Sequence, residues 1–187
     1  MADFRIATSL GARVQAARRS RGMKSPKDLA DAIVGGNVTS SIIENIEVGR
    51  KVNLDVSQLL NIAKALDVPP SYLLAPLGRP SAKVDLPNLS EALREMTAVE
   101  FDSWLSNVPE GIYQPVTLAE RNASQQLTAL RELSAAQREL RRIEIATSLE
   151  QDASPSADRN RLAARADAIR IEIAHLTSYL ESAGWVF

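Results

Sequence analysis

Thr39-Ser-Ser-Ile-Ile-Glu-Asn-Ile-Glu-Val-Gly-Arg-Lys51 is the stretch on which the reading of this chain turns. Ile42, Ile43 and Ile46 recur at helical spacing and make one apolar stripe, leaving Ser40, Ser41, Glu44 and Asn45 on the other side. Thr39 or Asn37 caps the front of this helix, and Gly49 ends it. The flanking segments are built alike. Leu10-Gly-Ala-Arg-Val-Gln-Ala-Ala-Arg-Arg19 carries Leu10, Val14 and Ala17 on one stripe and stops at Gly22, which predicts a helix over about 6–21. Ser25-Pro-Lys-Asp-Leu-Ala30 reads as a cap, a proline at the first helical position and an acid three residues after the cap. Leu29, Ala30 and Ile33 form its buried side, and Gly35-Gly36-Asn37 breaks it. Asp55 and Gln58 read as the cap pair of a fourth helix over 56–66, and Pro69-Pro70 starts a short fifth carrying Tyr72, Leu73 and Leu74. Residues 1–75 are thus expected to form a bundle of five short helices.

Composition narrows the class. Aromatic residues make up 4% of the 187 and strand-like alternation is absent, so the expected fold is all-α. With no cysteine, disulfide frameworks and thiolate zinc sites are excluded. No segment approaches the roughly 20 apolar residues of a membrane helix, so no membrane partner and a cytoplasmic location are expected. The net charge of −1 hides an asymmetry: residues 1–78 carry +3 and residues 79–187 carry −4. Between Arg13 and Lys27 stand six basic residues and no acid.

Beyond the bundle, Pro76, Gly78, Pro80 and Pro87 punctuate a linker over 76–88, which reads as the domain boundary; a chain cut after Pro87 is expected to fold alone. Residues 89–187 read as a helical dimerisation or interaction domain. Ser90 and Glu91 open one further helix carrying Leu93, Met96, Phe101, Trp104, Leu105 and Val108, stopped by Pro109 and Gly111. Two long helical patterns follow, over 117–150 and 155–183, around the break Gln151-Asp-Ala-Ser-Pro-Ser156. A short break between long helices makes them antiparallel neighbours, here a coiled-coil hairpin. Leu162, Ala166, Ile169, Ile173, Leu176 and Leu180 keep a heptad spacing and are the expected dimer interface. Trp185 and Phe187 are expected either to cap the hairpin core or to enter a second protomer, the latter being favoured.

Two adjacent short helices with a tight connection can place the second in the major groove, which admits one helix. The basic residues beside them, Arg18, Arg19, Lys24 and Lys27, suit phosphate. At this point the residues resemble the lambda-repressor-like (Xre-type) helix-turn-helix family. The resemblance rests on Leu29-Ala30, on Ile43-Glu-Asn-Ile46-Glu47-Val-Gly49-Arg50-Lys51, and on Ile62-Ala-Lys-Ala-Leu66-Asp-Val-Pro69 with Tyr72-Leu-Leu74; it covers about residues 8–75. It implies that the third helix is the recognition helix, with Thr39, Ser40, Ser41, Glu44 and Asn45 at the bases. Side-chain chemistry agrees: Asn suits adenine, Ser and Thr suit any edge, and Glu accepts from cytosine N4. The resemblance further implies that Glu47 orders the bundle and that Arg50 and Lys51 reach phosphate.

Little else carries chemistry. His175 is the only histidine, no serine has a base beside it in the pattern, and no glycine-rich phosphate loop occurs, so neither an enzyme nor a cofactor or metal is expected. Arg131, Arg138, Arg141 and Arg142, interleaved with Glu132, Glu139 and Glu144, read as a salt-bridged solvated helix, with a second nucleic-acid surface as the less favoured alternative. The expectation is a homodimeric, sequence-specific regulator of transcription, a repressor of phage, prophage or bacterial type, bound to double-stranded DNA. The alternative is an antitoxin-like module whose hairpin binds a partner protein.

Overall fold

The computed structural model describes residues 3–109, 111–149 and 157–187. All regular structure among them is helical and no strand occurs; a single isolated bridge joins Lys83 and Thr97. No helix there is long and apolar enough to cross a membrane. The chain divides into two compact units, Met1–Gln114 and Pro115–Phe187.

In the first unit a 3-10 turn, Phe4–Ile6, precedes α1 (Leu10–Ser20), α2 (Pro26–Ala32), α3 (Ser40–Glu47), α4 (Val56–Ala65) and α5 (Pro70–Leu74). The predicted first helix therefore begins four residues later than its pattern suggested, where the Ser9 hydroxyl accepts from the Ala12 N–H. Ser25 and Asp28 make the reciprocal capping box expected for α2. At α4 the expected cap pair does not form. Asp55 makes no side-chain cap bond, and Gln58 turns into the core, its Oε1 buried without a partner. The core is Val14, Ala17, Leu29, Val38, Ile43, Ile46, Ile62, Ala63, Leu66 and Leu73, contributed by every helix of the bundle.

The stretch 76–88 is not a spacer. Arg13, wholly buried on α1, donates from Nη2 to Asp85 Oδ1 at 2.6 Å and from Nη1 to Asp85 Oδ2 at 2.8 Å. Its other N–H groups reach the carbonyls of Ala7, Leu73 and Leu74 at 3.0, 2.8 and 3.3 Å. All five guanidinium donors are thereby engaged, which a buried charge requires. The helix predicted after Ser90 is two pieces, α6 (Glu91–Arg94) and α7 (Ala98–Ser106), because Thr97 and Glu100 form a capping box that starts α7 afresh. Ala98 N–H donates to Ala82 O at 2.7 Å and Val84 N–H to Met96 O at 3.2 Å. These bonds close a second small core of Ala75, Val84, Ala98 and Phe101. The domain boundary thus falls between residues 114 and 115, beyond the predicted linker.

The second unit is α8 (Leu118–Leu149) packed along α9 (Ala157–Ser182). Ala129 and Leu133 meet Leu176 and Leu180, whereas Ala136 and Ile143 meet Ala166 and Ile169. Position rises along one helix as it falls along the other, so the two run antiparallel. The expected break, Gln151–Ser156, lies outside the described residues. The seam places Leu162, Ala166, Ile169, Ile173, Leu176 and Leu180 against α8 of the same chain. That corrects their assignment as a dimer interface, because α8 already fills the seam. Trp185 takes the less favoured of its two expected places: past Gly184 (φ +90°) it folds onto this core and donates from Nε1 to Gln126 Oε1 at 3.1 Å. Phe187 stays exposed.

These contacts predict that a chain ending at Gln114 unfolds in urea as one cooperative unit. A chain ending at Pro87 lacks Ala98 and Phe101, and loss of a buried phenylalanine alone costs about 3–5 kcal/mol. Equal stability of the two truncations would contradict the placement of α7 in the first unit.

Candidate nucleic-acid interface

The geometry of α3 begins with its two faces. Ile43 and Ile46 are fully buried, Ile42 is half-buried, and Ser40, Ser41 and Glu44 are exposed, with Asn45 half-buried at the edge. Thr39 is the N-cap; its Oγ1 accepts from the Ile42 N–H at 3.3 Å, so its hydroxyl is partly committed to the helix and keeps its own proton to donate. At the other end Gly49 adopts φ +76° and its N–H returns to Ile46 O at 3.0 Å. The Lys51 N–H returns to Asn45 O at 2.9 Å. This wrap fixes the backbone of Arg50 and Lys51 immediately after the helix. Arg50 is exposed and Lys51 half-buried.

What orients α3 is α1. Glu47 closes the helix with its carboxylate almost wholly buried, 3% exposed, against Arg18 at 2%. The Arg18 guanidinium donates from Nε to Oε1 at 2.6 Å and from Nη2 to Oε2 at 2.8 Å, and Gln15 adds a third donor at 3.3 Å. Arg18 Nη1 donates to Met23 O at 2.7 Å. Hydrogen bonding to Glu47 raises the Arg18 pKa above its ordinary value, outweighing desolvation, so the guanidinium keeps its charge. A few residues along, Gly11 lies so close to α3 that a Cβ there would sit 2.1 Å from Ile46 O. Only glycine admits that crossing of backbone on backbone.

Arg18 is therefore not a phosphate contact; its charge is spent inside the bundle, as is that of Arg13. Of the expected set, Arg19, Lys24, Lys27 and Arg50 are exposed and Lys51 is half-buried. Lys27 pairs with Asp31 at 2.7 Å, an exposed contact that raises its pKa. Arg21, also in the basic run, donates to Asp67 O at 2.9 Å. Glu47 takes the internal position that the resemblance implied for it. The turn between α2 and α3 is pinned at several points. Val38 is buried, a Cβ on Gly36 would strike Ile33 and Asn61, and Asn37 donates to Ser57 Oγ at 3.4 Å.

Sequence reasoning missed Gln15 and Gly11 as supports of α3, and it placed Arg13 and Arg18 at the surface. A signal for the arginines existed. Arg13 lies four before Ala17, and Arg18 four after Val14, so both fall on the buried stripe of α1. Comparison with protein-family models, curated proteins and solved structures finds no match for this chain.

Removal of the Glu47 carboxylate leaves a buried guanidinium uncompensated. Glu47→Ala is expected to cost about 3–5 kcal/mol of unfolding free energy in the first unit, whereas Glu44→Ala, exposed on the same helix, costs within about 0.5 kcal/mol. Urea titrations of both variants check this, and comparable midpoints would overturn it.

Proposed function

We propose that residues 1–75 are a helix-turn-helix module of the lambda-repressor-like kind that reads duplex DNA through α3. The observation that carries this reading is the division of labour on α3. Ile43, Ile46 and Glu47 are held by the bundle, while Ser40, Ser41, Glu44 and Asn45 stand on the opposite side. Eight helical residues span about 12 Å, which matches a major groove about 12 Å wide. Asn45 offers a bidentate amide for adenine, Ser40, Ser41 and the Thr39 hydroxyl suit base edges of either polarity, and Glu44 accepts from cytosine N4. Arg19, Lys24, Lys27, Arg50 and Lys51 supply sequence-independent attraction to phosphate. A helix fixed by a buried ion pair and a glycine crossing meets the groove without first being ordered, so less of the binding energy is lost to entropy.

In this reading the chain is a transcriptional regulator, a repressor that occupies its site and excludes other proteins from it. A single module of this size reads only a few base pairs, so a pair of copies on two half-sites gives the required selectivity. The pairing surface is not the α8–α9 seam, which is filled within one chain.

Selection from random duplexes tests the assignment. Wild type is expected to enrich one short motif. Asn45→Ala and Ser41→Ala each lose about 1–3 kcal/mol at that motif while keeping their affinity for unrelated duplex. The same motif from all three proteins, or none from wild type, would remove the basis for the proposal.

A further inference from the structure

The arginine row on α8 was expected to be neutralised by the glutamates interleaved with it, but two of those acids reach across to α9. Glu139 accepts from Arg165 of α9 at 2.8 Å, and Glu144 from Arg170 of α9 at 3.2 Å. Glu132 lines a groove with His175, Leu176 and Tyr179 of α9, and Glu120 caps the first turn by accepting from the Val116 and Thr117 N–H groups at 2.9 and 3.0 Å. Glu139 and Glu144 thus reach across to α9, and Glu120 serves the helix start. The stripe that packs on α9 is Ala129, Leu133, Ala136 and Ile143. At 100° per residue Arg131, Arg138 and Arg142 fall on the opposite side of α8, with Arg141 beside them. Arg138, Arg141 and Arg142 are exposed; Arg142 is 79% so, with its nearest acid, Glu139, 4.0 Å away.

We infer that this outward face of α8 is a second phosphate-binding surface, and that its occupant is the sugar–phosphate backbone of the duplex engaged by the first unit. The inference rests on the proposal that the first unit binds DNA. From Arg138 to Arg142 the cluster runs about 6 Å, nearly twice the roughly 3.4 Å of helix axis between successive phosphates of one strand. Guanidinium groups take phosphate in fork geometry without a base preference. A second copy of the chain does not fit here, because self-pairing on this face sets arginine against arginine. An apolar partner finds only Leu127 and Ile145, one at either end. Because the two units share one chain, the second contact is intramolecular once the first is made, and it raises affinity without adding selectivity.

The test uses the full chain with Arg138, Arg141 and Arg142 all changed to Gln, which keeps helix propensity and removes three charges. The probes are the duplex selected by wild type and an unrelated duplex, titrated at several salt concentrations. The logarithmic salt slope is expected to shrink by about two to three units, and affinity for both duplexes to fall by one common factor of at least about tenfold, with the selected motif and the thermal midpoint unchanged. R138Q alone is expected to shift the slope by about one unit. Asn45→Ala behaves oppositely, changing the motif and sparing the slope. If wild type binds DNA and the triple variant keeps its slope, this inference falls alone, and the stripe serves another partner such as an acidic protein. If wild type binds no duplex, the proposed function falls and this inference with it.

Discussion

A guanidinium cannot be left uncompensated inside a protein, and α1 buries two of them. Each imposes a demand for fixed oxygen acceptors in a fork geometry, and the rest of the first unit is arranged to meet it. Arg13 gathers the Ala7 carbonyl, the end of α5 and Asp85; Arg18 gathers Glu47 and the Met23 carbonyl. Segments far apart in sequence are thereby tied to one short helix by charge-assisted bonds. Such pairs are weak evidence of net stability, since desolvation offsets attraction, but removal of one partner is severe. Their effect is to make one arrangement of α1, α3, α5 and the 80s segment far better than its neighbours.

The second unit solves the opposite problem. Two long helices have a neutral seam of Leu, Ile and Ala, and their charges stay at the surface, where each exposed pair contributes at most about 1 kcal/mol. Cross-helix pairing there has a directional effect larger than its energy. Arg165 and Arg170 draw Glu139 and Glu144 of α8 toward α9, although the sequence of α8 alternates in charge.

Much of this was legible in residue order. Apolar periodicity located the helices, Ser25 with Asp28 announced the start of α2, and the spacing of Leu162 to Leu180 predicted the buried line of α9. What the pattern could not state is who fills a stripe. A heptad seam looks the same whether the partner is the preceding helix or another chain, and Trp185 carried no mark of its destination. Pro76, Pro80 and Pro87 read as a linker because proline signals only the absence of helix; that Asp85 would be held by Arg13 depends on a contact 72 residues apart. The break between α6 and α7 was readable after all. Thr97 and Glu100 have cap spacing, masked by the apolar residues around them. On α3 itself, the spacing separated buried from exposed positions correctly, while the fate of each nearby arginine depended on whether an acid waited across the helix.

Because the residues that hold α3 and the residues it displays occupy opposite sides, the two sets answer to different pressures. Ile43, Ile46, Glu47 and the glycine across from them are bound to their neighbours and cannot drift singly. Ser40, Ser41 and Glu44 are exposed. A lineage carrying this scaffold can therefore exchange its outward alphabet one letter at a time, with the bundle as an unchanging frame.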